Sequence, residues 1–250
     1  NKNINTGSGN DTISITGDGT HNVNAGNGEN TVTINGDGNA TVNAGINDDT
    51  ITVSNTTKQV NINANNGENE INLNNVSGNI NVNAGKDSDT ITISSNSTGK
   101  ANINTNAGDD EILSGSGDDT INAGDGNDTI TGGKGNDTLI GGQGNDTFIF
   151  SKGDGVDTIN DAVKGDVIQI NAKQSELRFM KAGNNLAIGY VGNMEDKITI
   201  NNYFNNRNKV EDIRLLNEAG TELVEKKIED ILPAVFDITG KGGINGTNNN

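Results

Sequence analysis

The segments SGSGDDTIN, AGDGNDTIT, GGKGNDTLI and GGQGNDTFI run without a gap from Ser114 to Ile149. Each nonapeptide carries Gly at positions two and four (Gly115 and Gly117, Gly124 and Gly126, Gly133 and Gly135, Gly142 and Gly144), Asp at position six and an aliphatic or aromatic residue at position eight. Six residues rich in Gly, Asn and Asp turn readily, because Gly and Asn accept left-handed backbone angles that other residues resist. Three residues of the Thr-Ile-Asn kind then form a short strand in which only the middle side chain points inward. Two nonapeptides therefore complete one coil. Successive coils pair as parallel strands about 4.8 Å apart, and turns two repeats apart lie above one another. The expected fold is all-β, a parallel β-roll or β-helix solenoid.

This stacking brings an Asp of each turn beside the backbone carbonyls of its neighbour. Hard oxygen ligands, about six to eight of them, suit Ca2+ far better than Zn2+, which takes His or Cys. The position-six candidates are Asp119, Asp128, Asp137 and Asp146; reading outward, NAGDDEIL supplies Asp110, KGDGVDTIN supplies Asp157 and AVKGDVIQ supplies Asp166. Alternating turns puts Asp110, Asp128, Asp146 and Asp166 on one side of the roll and Asp119, Asp137 and Asp157 on the other. The four consecutive nonapeptides resemble the RTX, or haemolysin-type calcium-binding, family of proteins exported by bacterial type I secretion. The resemblance implies that position-six carboxylates of adjacent same-side turns, with carbonyls at the glycine positions, form the cages. One calcium per interval between stacked turns gives five sites. Asp125, Asn127, Asn136 and Asn145 complete the candidate ligand set.

Residues 5–104 carry a looser repeat with a period near twenty, marked by Ala25-Gly26, Ala44-Gly45, Ala64 and Ala84-Gly85. One turn of each coil keeps Asp or Asn at the ligand position: Asp11, Asn30, Asp49, Asn69 and Asp89. The opposite turn has lost it, with His21, Ala40 and Lys58-Gln59-Val60 in its place. Asp11, Asp49 and Asp89 are the weaker metal candidates, and His21 is read as a turn residue without zinc or acid-base work. Longer strands such as Thr31-Val32-Thr33-Ile34 and Thr90-Ile91-Thr92-Ile93 turn two apolar residues inward, and burial at about 25 cal/mol per Å2 compensates in part for missing metal. Outward residues form a Thr-rich ladder through Thr12, Thr31, Thr50, Glu70 and Thr90, and an Asn-rich ladder through Asn22, Thr41, Asn61, Asn81 and Asn102. Stacked hydroxyls and amides satisfy one another along a solenoid. A regular Thr face is also the kind of surface that binds ice, although Glu70 interrupts it.

Composition fits a thin core. Hydrophobic residues make up 30% of the chain, aromatics 3%, Trp and Cys are absent and the formal charge is −17, whereas an ordinary domain is about half apolar. Such a chain stays disordered unless its self-repulsion is offset, and a bound cation offsets it. The Lys/Arg patches that contact phosphates are missing, so nucleic acid is not an expected partner. No run of about 18 apolar residues marks a transmembrane segment. The chain opens Asn1-Lys2-Asn3 already inside a repeat, with no basic-then-apolar leader, and is read as a fragment of a larger secreted, extracellular protein.

Past residue 167 the composition shifts toward Phe179, Tyr190, Tyr203, Phe204 and most of the Lys and Arg. Alternation predicts strands over 177–180, 185–188, 197–200 and 210–216, and a short helix over 222–232 ending before Pro233. An open solenoid end exposes unpaired edges and core, so this segment is expected to cap the roll. The expected division is degenerate repeats over 1–104, strict calcium-binding repeats over 105–166, a β-rich cap over 167–235 and a flexible tail over 236–250. With one His, no Cys and no nucleophile-elbow, zinc-protease or phosphate-loop motif, no enzymatic centre is expected. The acid pairs Asp48-Asp49, Asp109-Asp110 and Asp118-Asp119 are better read as turn residues than as glycosidase acids. The expected function is a calcium-gated folding module of an S-layer, adhesin or cytolysin parent. Its expected partners are calcium, the type I secretion apparatus, and either other copies of itself or a cell-surface polysaccharide. The alternatives are the C-terminal part of a secreted polysaccharide lyase, epimerase, lipase or protease, or an ice-binding Thr face.

Overall fold

The computed structural model describes residues 1–205 and 209–232; Pro233 and the expected tail lie outside them. Strands alternate between two sheets as the chain advances. One sheet begins Lys2–Asn5, His21–Asn24, Ala40–Asn43 and continues to Val156–Ile159; the other begins Thr12–Thr16, Thr31–Asn35, Thr50–Thr56 and continues to Val167–Lys173. Every neighbouring pair in these series is parallel and in register. Thr31 pairs with Thr50 and Thr50 with Glu70 in the degenerate half, while Thr120 pairs with Thr138 and Glu111 with Thr129 in the strict half. One coil is therefore two nonapeptides wherever the repeat is strict.

The core is a single file of inward side chains between the sheets. In the strict half the position-eight residues Ile121, Ile130, Leu139 and Phe148 are each fully buried. Where strands lengthen, a second layer joins them: Val32 and Ile34, Ile91 and Ile93, Ile71 and Leu73 all lie at 1% exposure or less. Strands Thr120–Asp125 and Thr138–Gln143 run longer than three residues and turn a second small residue, Ala123 or Gly141, inward.

The glycine pattern has a steric cause. A Cβ on Gly142 would overlap the carbonyl oxygen of Gly124 in the coil below, and one on Gly144 would overlap that of Gly126. Both glycines also hold positive φ, 106° and 136°. Turns can stack at strand spacing only if nothing projects from these positions.

The cap continues both sheets and changes their sense. Asn193–Ile200 pairs parallel with Val156–Ile159, then antiparallel with Asn185–Tyr190, which pairs antiparallel with Leu177–Ala182. In the other sheet Asp212–Leu216 lies parallel to Val167–Lys173 and antiparallel to Leu223–Lys227. The helix expected over 222–232 is corrected here: residues Leu223–Lys227 are an edge strand, and only Ile228–Ile231 is helical. Cross-strand ion pairs, Arg214 with Glu225 at 3.1 Å and Lys227 with Asp212 at 2.6 Å, favour the strand over a short helix. Tyr203 is fully buried, edge-on to Phe204, with Lys209 over its ring. Among the described residues no helix is long and apolar enough to cross a membrane.

Candidate calcium sites

The position-six Asp residues form two columns, each joined by side-chain to backbone hydrogen bonds. In each column the Oδ1 of one Asp accepts from the amide of the residue one coil below. The first column takes in Asp166 to Asp146 (3.0 Å), Asp146 to Asp128 (3.0 Å) and Asp128 to Asp110 (2.8 Å). It continues through Asp110 to Asp89 (2.7 Å), Asp89 to Asn69, Asn69 to Asp49, Asp49 to Asn30 and Asn30 to Asp11. The second column holds Asp157 to Asp137 (3.0 Å), Asp137 to Asp119 (2.8 Å) and Asp119 to the amide of Ala101 (2.7 Å). The side assignment expected from the spacing is the one observed.

This use of Oδ1 leaves Oδ2. In Asp11, Asp49, Asp110, Asp128, Asp137 and Asp146 that oxygen is buried and has no hydrogen-bond partner. A carboxylate oxygen withdrawn from water and left unpaired is costly unless a cation meets it. The remaining column members have theirs engaged or open: Asp119 accepts from Ser114 Oγ at 2.7 Å, Asp166 from the Val163 amide at 2.7 Å and Asp89 from the Gly85 amide at 3.1 Å. Position one also matters, which the repeat pattern alone did not flag. A Cβ on Gly132 or Gly141 would collide with Oδ2 of Asp137 or Asp146, so glycine there lets the carboxylate fold back across its own turn.

Two asparagines mark where a positive charge belongs. The Nδ2 of Asn30 donates to the carbonyls of Gly26 (3.1 Å), Gly28 (2.8 Å) and Ala44 (3.1 Å). That of Asn69 donates to the carbonyls of Asn65 and Gly67 and to Asp89 Oδ1. The amide group gathers turn carbonyls as a cation would, with no metal required. By the same register, Gly124 and Gly126 surround Asp128, Gly133 and Gly135 surround Asp137, Gly142 and Gly144 surround Asp146, and Gly115 and Gly117 surround Asp119. In those turns a carboxylate stands in place of the amide. Carbonyl oxygens plus an unpaired carboxylate oxygen are a donor set that fits Ca2+. No three acidic or histidine side chains among the described residues converge on one point, so most of each shell is backbone oxygen.

Burial raises the carboxyl groups first of all, and stacked like charges add to it. Asp137 is pushed up to about 8, Asp128 and Asp157 to about 7, and Asp110, Asp119, Asp146 and Asp49 to about 6. Asp89 and Asp166 are raised by the same cause.

The structure places the remaining candidates outside the columns. Asn127, Asn136 and Asn145 are exposed, and they belong to an outer ladder. Asn127 Oδ1 accepts from the Asn145 amide, Asn136 Oδ1 accepts from the Val156 amide, and the amides of Asn127 and Asn136 donate to Asp109 and Asp118. Asp125 is exposed and accepts from Gln143 Nε2. His21 differs from expectation. It is not in a turn but opens the strand His21–Asn24, 2% exposed, with Nε2 at 2.9 Å from the Gly17 carbonyl oxygen. His21, Ala40, Val60, Ile80 and Ala101 stack in one register, with Asp119 next above. In the degenerate half the second column is thus mostly apolar core.

A parallel solenoid whose turns present buried, unpaired carboxylate oxygens among carbonyls is, as a class, a calcium-binding β-roll. Residues 97–130, 113–148 and 122–159 match the RTX calcium-binding nonapeptide repeat, in four copies. The chain therefore carries RTX repeats, and its strict half is the part that the family describes. No curated protein matches the chain.

Proposed function

We propose that this chain is a non-catalytic, calcium-gated folding module of a larger bacterial protein exported by type I secretion, assembling outside the cell. The observation that supports this most directly is the row of buried Oδ2 atoms without partners in Asp110, Asp128, Asp137 and Asp146. Together with a net charge of −17, they make the compact state depend on a cation. Calcium is scarce inside cells and abundant outside, so the chain travels unfolded and stiffens after export. Metal that binds only the folded state adds its binding free energy to folding. An S-layer, adhesin or cytolysin parent suits such a module, with other copies or a cell-surface polysaccharide as partners of the long polar faces.

Asp128→Ala and Asp49→Ala test the reading. Asp128 lies between Asp110 and Asp146, each with an unpaired Oδ2, so its loss removes a charged ligand from a run of carboxylate turns. Asp49 lies between Asn30 and Asn69, whose amides already gather their own turn carbonyls. In calcium titrations followed by circular dichroism, Asp128→Ala is expected to raise the folding midpoint about tenfold and Asp49→Ala about twofold or less. Equal shifts would contradict the division of labour between the halves, and no shift for Asp128→Ala would contradict calcium gating itself.

A further inference from the structure

Position one of the strict nonapeptides holds Ser114, Ala123, Gly132 and Gly141, and only the first of these can hydrogen-bond through its side chain. Ser114 is fully buried. Its Oγ donates to Asp119 Oδ2 at 2.7 Å and lies equally close, at 2.7 Å, to a second acceptor, the carbonyl oxygen of Gly132 in the next turn on the same side. One hydroxyl thereby joins the turns that carry Asp119 and Asp137. Asp119 Oδ2 is satisfied by a side chain of its own turn, whereas the Oδ2 atoms of Asp110, Asp128, Asp137 and Asp146 are buried without a partner.

That hydroxyl stands where the register puts a cation. Asn30 defines the place in the first column: its Nδ2 donates to the carbonyls at positions two and four of its own turn, Gly26 and Gly28, and to the position-one carbonyl of the turn above, Ala44. Gly132 is the corresponding position-one residue for the Asp119 turn. Calcium stands about 2.3–2.6 Å from its oxygens. At 2.7 Å from both a carboxylate oxygen and this carbonyl, Ser114 Oγ is placed among the ligands rather than outside them, and an ion on the same two oxygens has to compete with it. The same side of the roll closes a lower turn in a similar way. Thr56, 1% exposed, donates from Oγ1 to the Gly38 carbonyl at 2.7 Å and accepts from the Gly38 amide at 3.2 Å.

We propose that Ser114 is a built-in plug that takes the calcium place between the Asp119 and Asp137 turns, so that calcium in the second column begins at the interval from Asp137 to Asp157. The proposal rests on the calcium reading of the roll and sets the lower boundary of the metal on this side. Below the plug the column passes through Ala101 into apolar core; above it the carboxylates need a cation. The chain then binds one ion fewer than it has intervals between stacked Asp turns, and the coil that joins the two halves closes on this side with a neutral hydroxyl.

Equilibrium dialysis of the whole chain with radioactive calcium reads the ion count. Ser114→Gly and Ser114→Ala install the residues that position one holds in the Asp137 and Asp128 turns, and each is expected to bind one ion more than wild type at saturation. Thermal unfolding at low and at saturating calcium gives a second readout. The gain in melting temperature between the two is expected to be larger in both variants than in wild type, whereas a merely structural Ser114 would lower the melting temperature equally at both calcium levels. Unchanged or lowered counts in both Ser114 variants, beside an Asp128→Ala control that does lose calcium, would overturn the plug and leave the roll reading intact. A wild-type chain that binds no calcium would overturn both readings.

Discussion

Stripped of calcium, the chain is expected to keep most of its β signal at pH 5 and to lose it by pH 8. The carboxyls of Asp110, Asp128, Asp137 and Asp157 are raised from an ordinary value of 3.8 to between about 6 and about 8, with burial the leading cause. A group whose folded pKa is raised contributes stability that is complete below its unfolded pKa. That contribution is lost as pH rises through the folded value. For Asp128, Asp137 and Asp157 the loss begins above the ordinary value of 3.8 and is complete at about 7 to about 8. Protons thus stand in for calcium at low pH. Calcium requires the ionised carboxylate, so its apparent affinity must rise over the same window, with about one proton released per raised carboxyl engaged. Circular dichroism in chelator from pH 5 to 8, with calorimetry in buffers of different ionisation enthalpy, checks both halves of the prediction. A metal-free roll that gains stability from pH 5 to 8 would show that the column is not held by protons.

Removing the cap is expected to do as much damage as removing the metal. A fragment ending at residue 166 loses the strand Val167–Lys173 that pairs with Thr147–Phe150, and the strand Asn193–Ile200 that pairs with Val156–Ile159. Both sheets then end in open edges, and Phe148, Phe150 and Ile159, now at 2% exposure or less, face water on one side. Each such side chain is worth up to about 1.5–3 kcal/mol when fully buried, a large share of the stability of any domain. The 1–166 fragment is therefore expected to remain largely unfolded at calcium levels that fold the whole chain. A full β transition at the same calcium midpoint would show that the repeats need no cap.

How much of this was legible in the sequence depended on periodicity. Gly at positions two and four, Asp at six and an apolar residue at eight fix the coil length, the facing of Ile121, Ile130, Leu139 and Phe148, and the sorting of Asp residues into two columns. Each of these follows from backbone geometry that repeats. What periodicity does not carry is how the two oxygens of one carboxylate divide their work. The Oδ1 contacts to the amide below, and the amides of Asn30 and Asn69 seated among carbonyls, appear only once coils are stacked. A signal was present, since Asn stands in strict register with Asp in the first column, but the exchange of a cation for an N–H donor needs three-dimensional neighbours to be recognised. His21 was misplaced because a lone polar residue that follows Asp18-Gly19-Thr20 and precedes Asn22 looks like a turn; its column partners Ala40, Val60 and Ile80 show the inward register. The segment over 222–232 was expected to be helical up to Pro233, and tertiary pairing of Leu223–Lys227 with Asp212–Leu216 decided otherwise.

The central claim is that calcium at the stacked Asp turns, rather than apolar burial alone, folds the strict half of the roll. A calcium titration of the whole chain at pH 7.5, followed simultaneously by far-ultraviolet circular dichroism and by hydrogen exchange resolved to segments, tests it most directly. The account predicts that amides of Thr120–Asp125, Thr129–Thr131 and Thr138–Gln143 exchange freely in chelator and become protected together at one calcium midpoint. Protection of those strands in chelator, equal to that at saturating calcium, would contradict it.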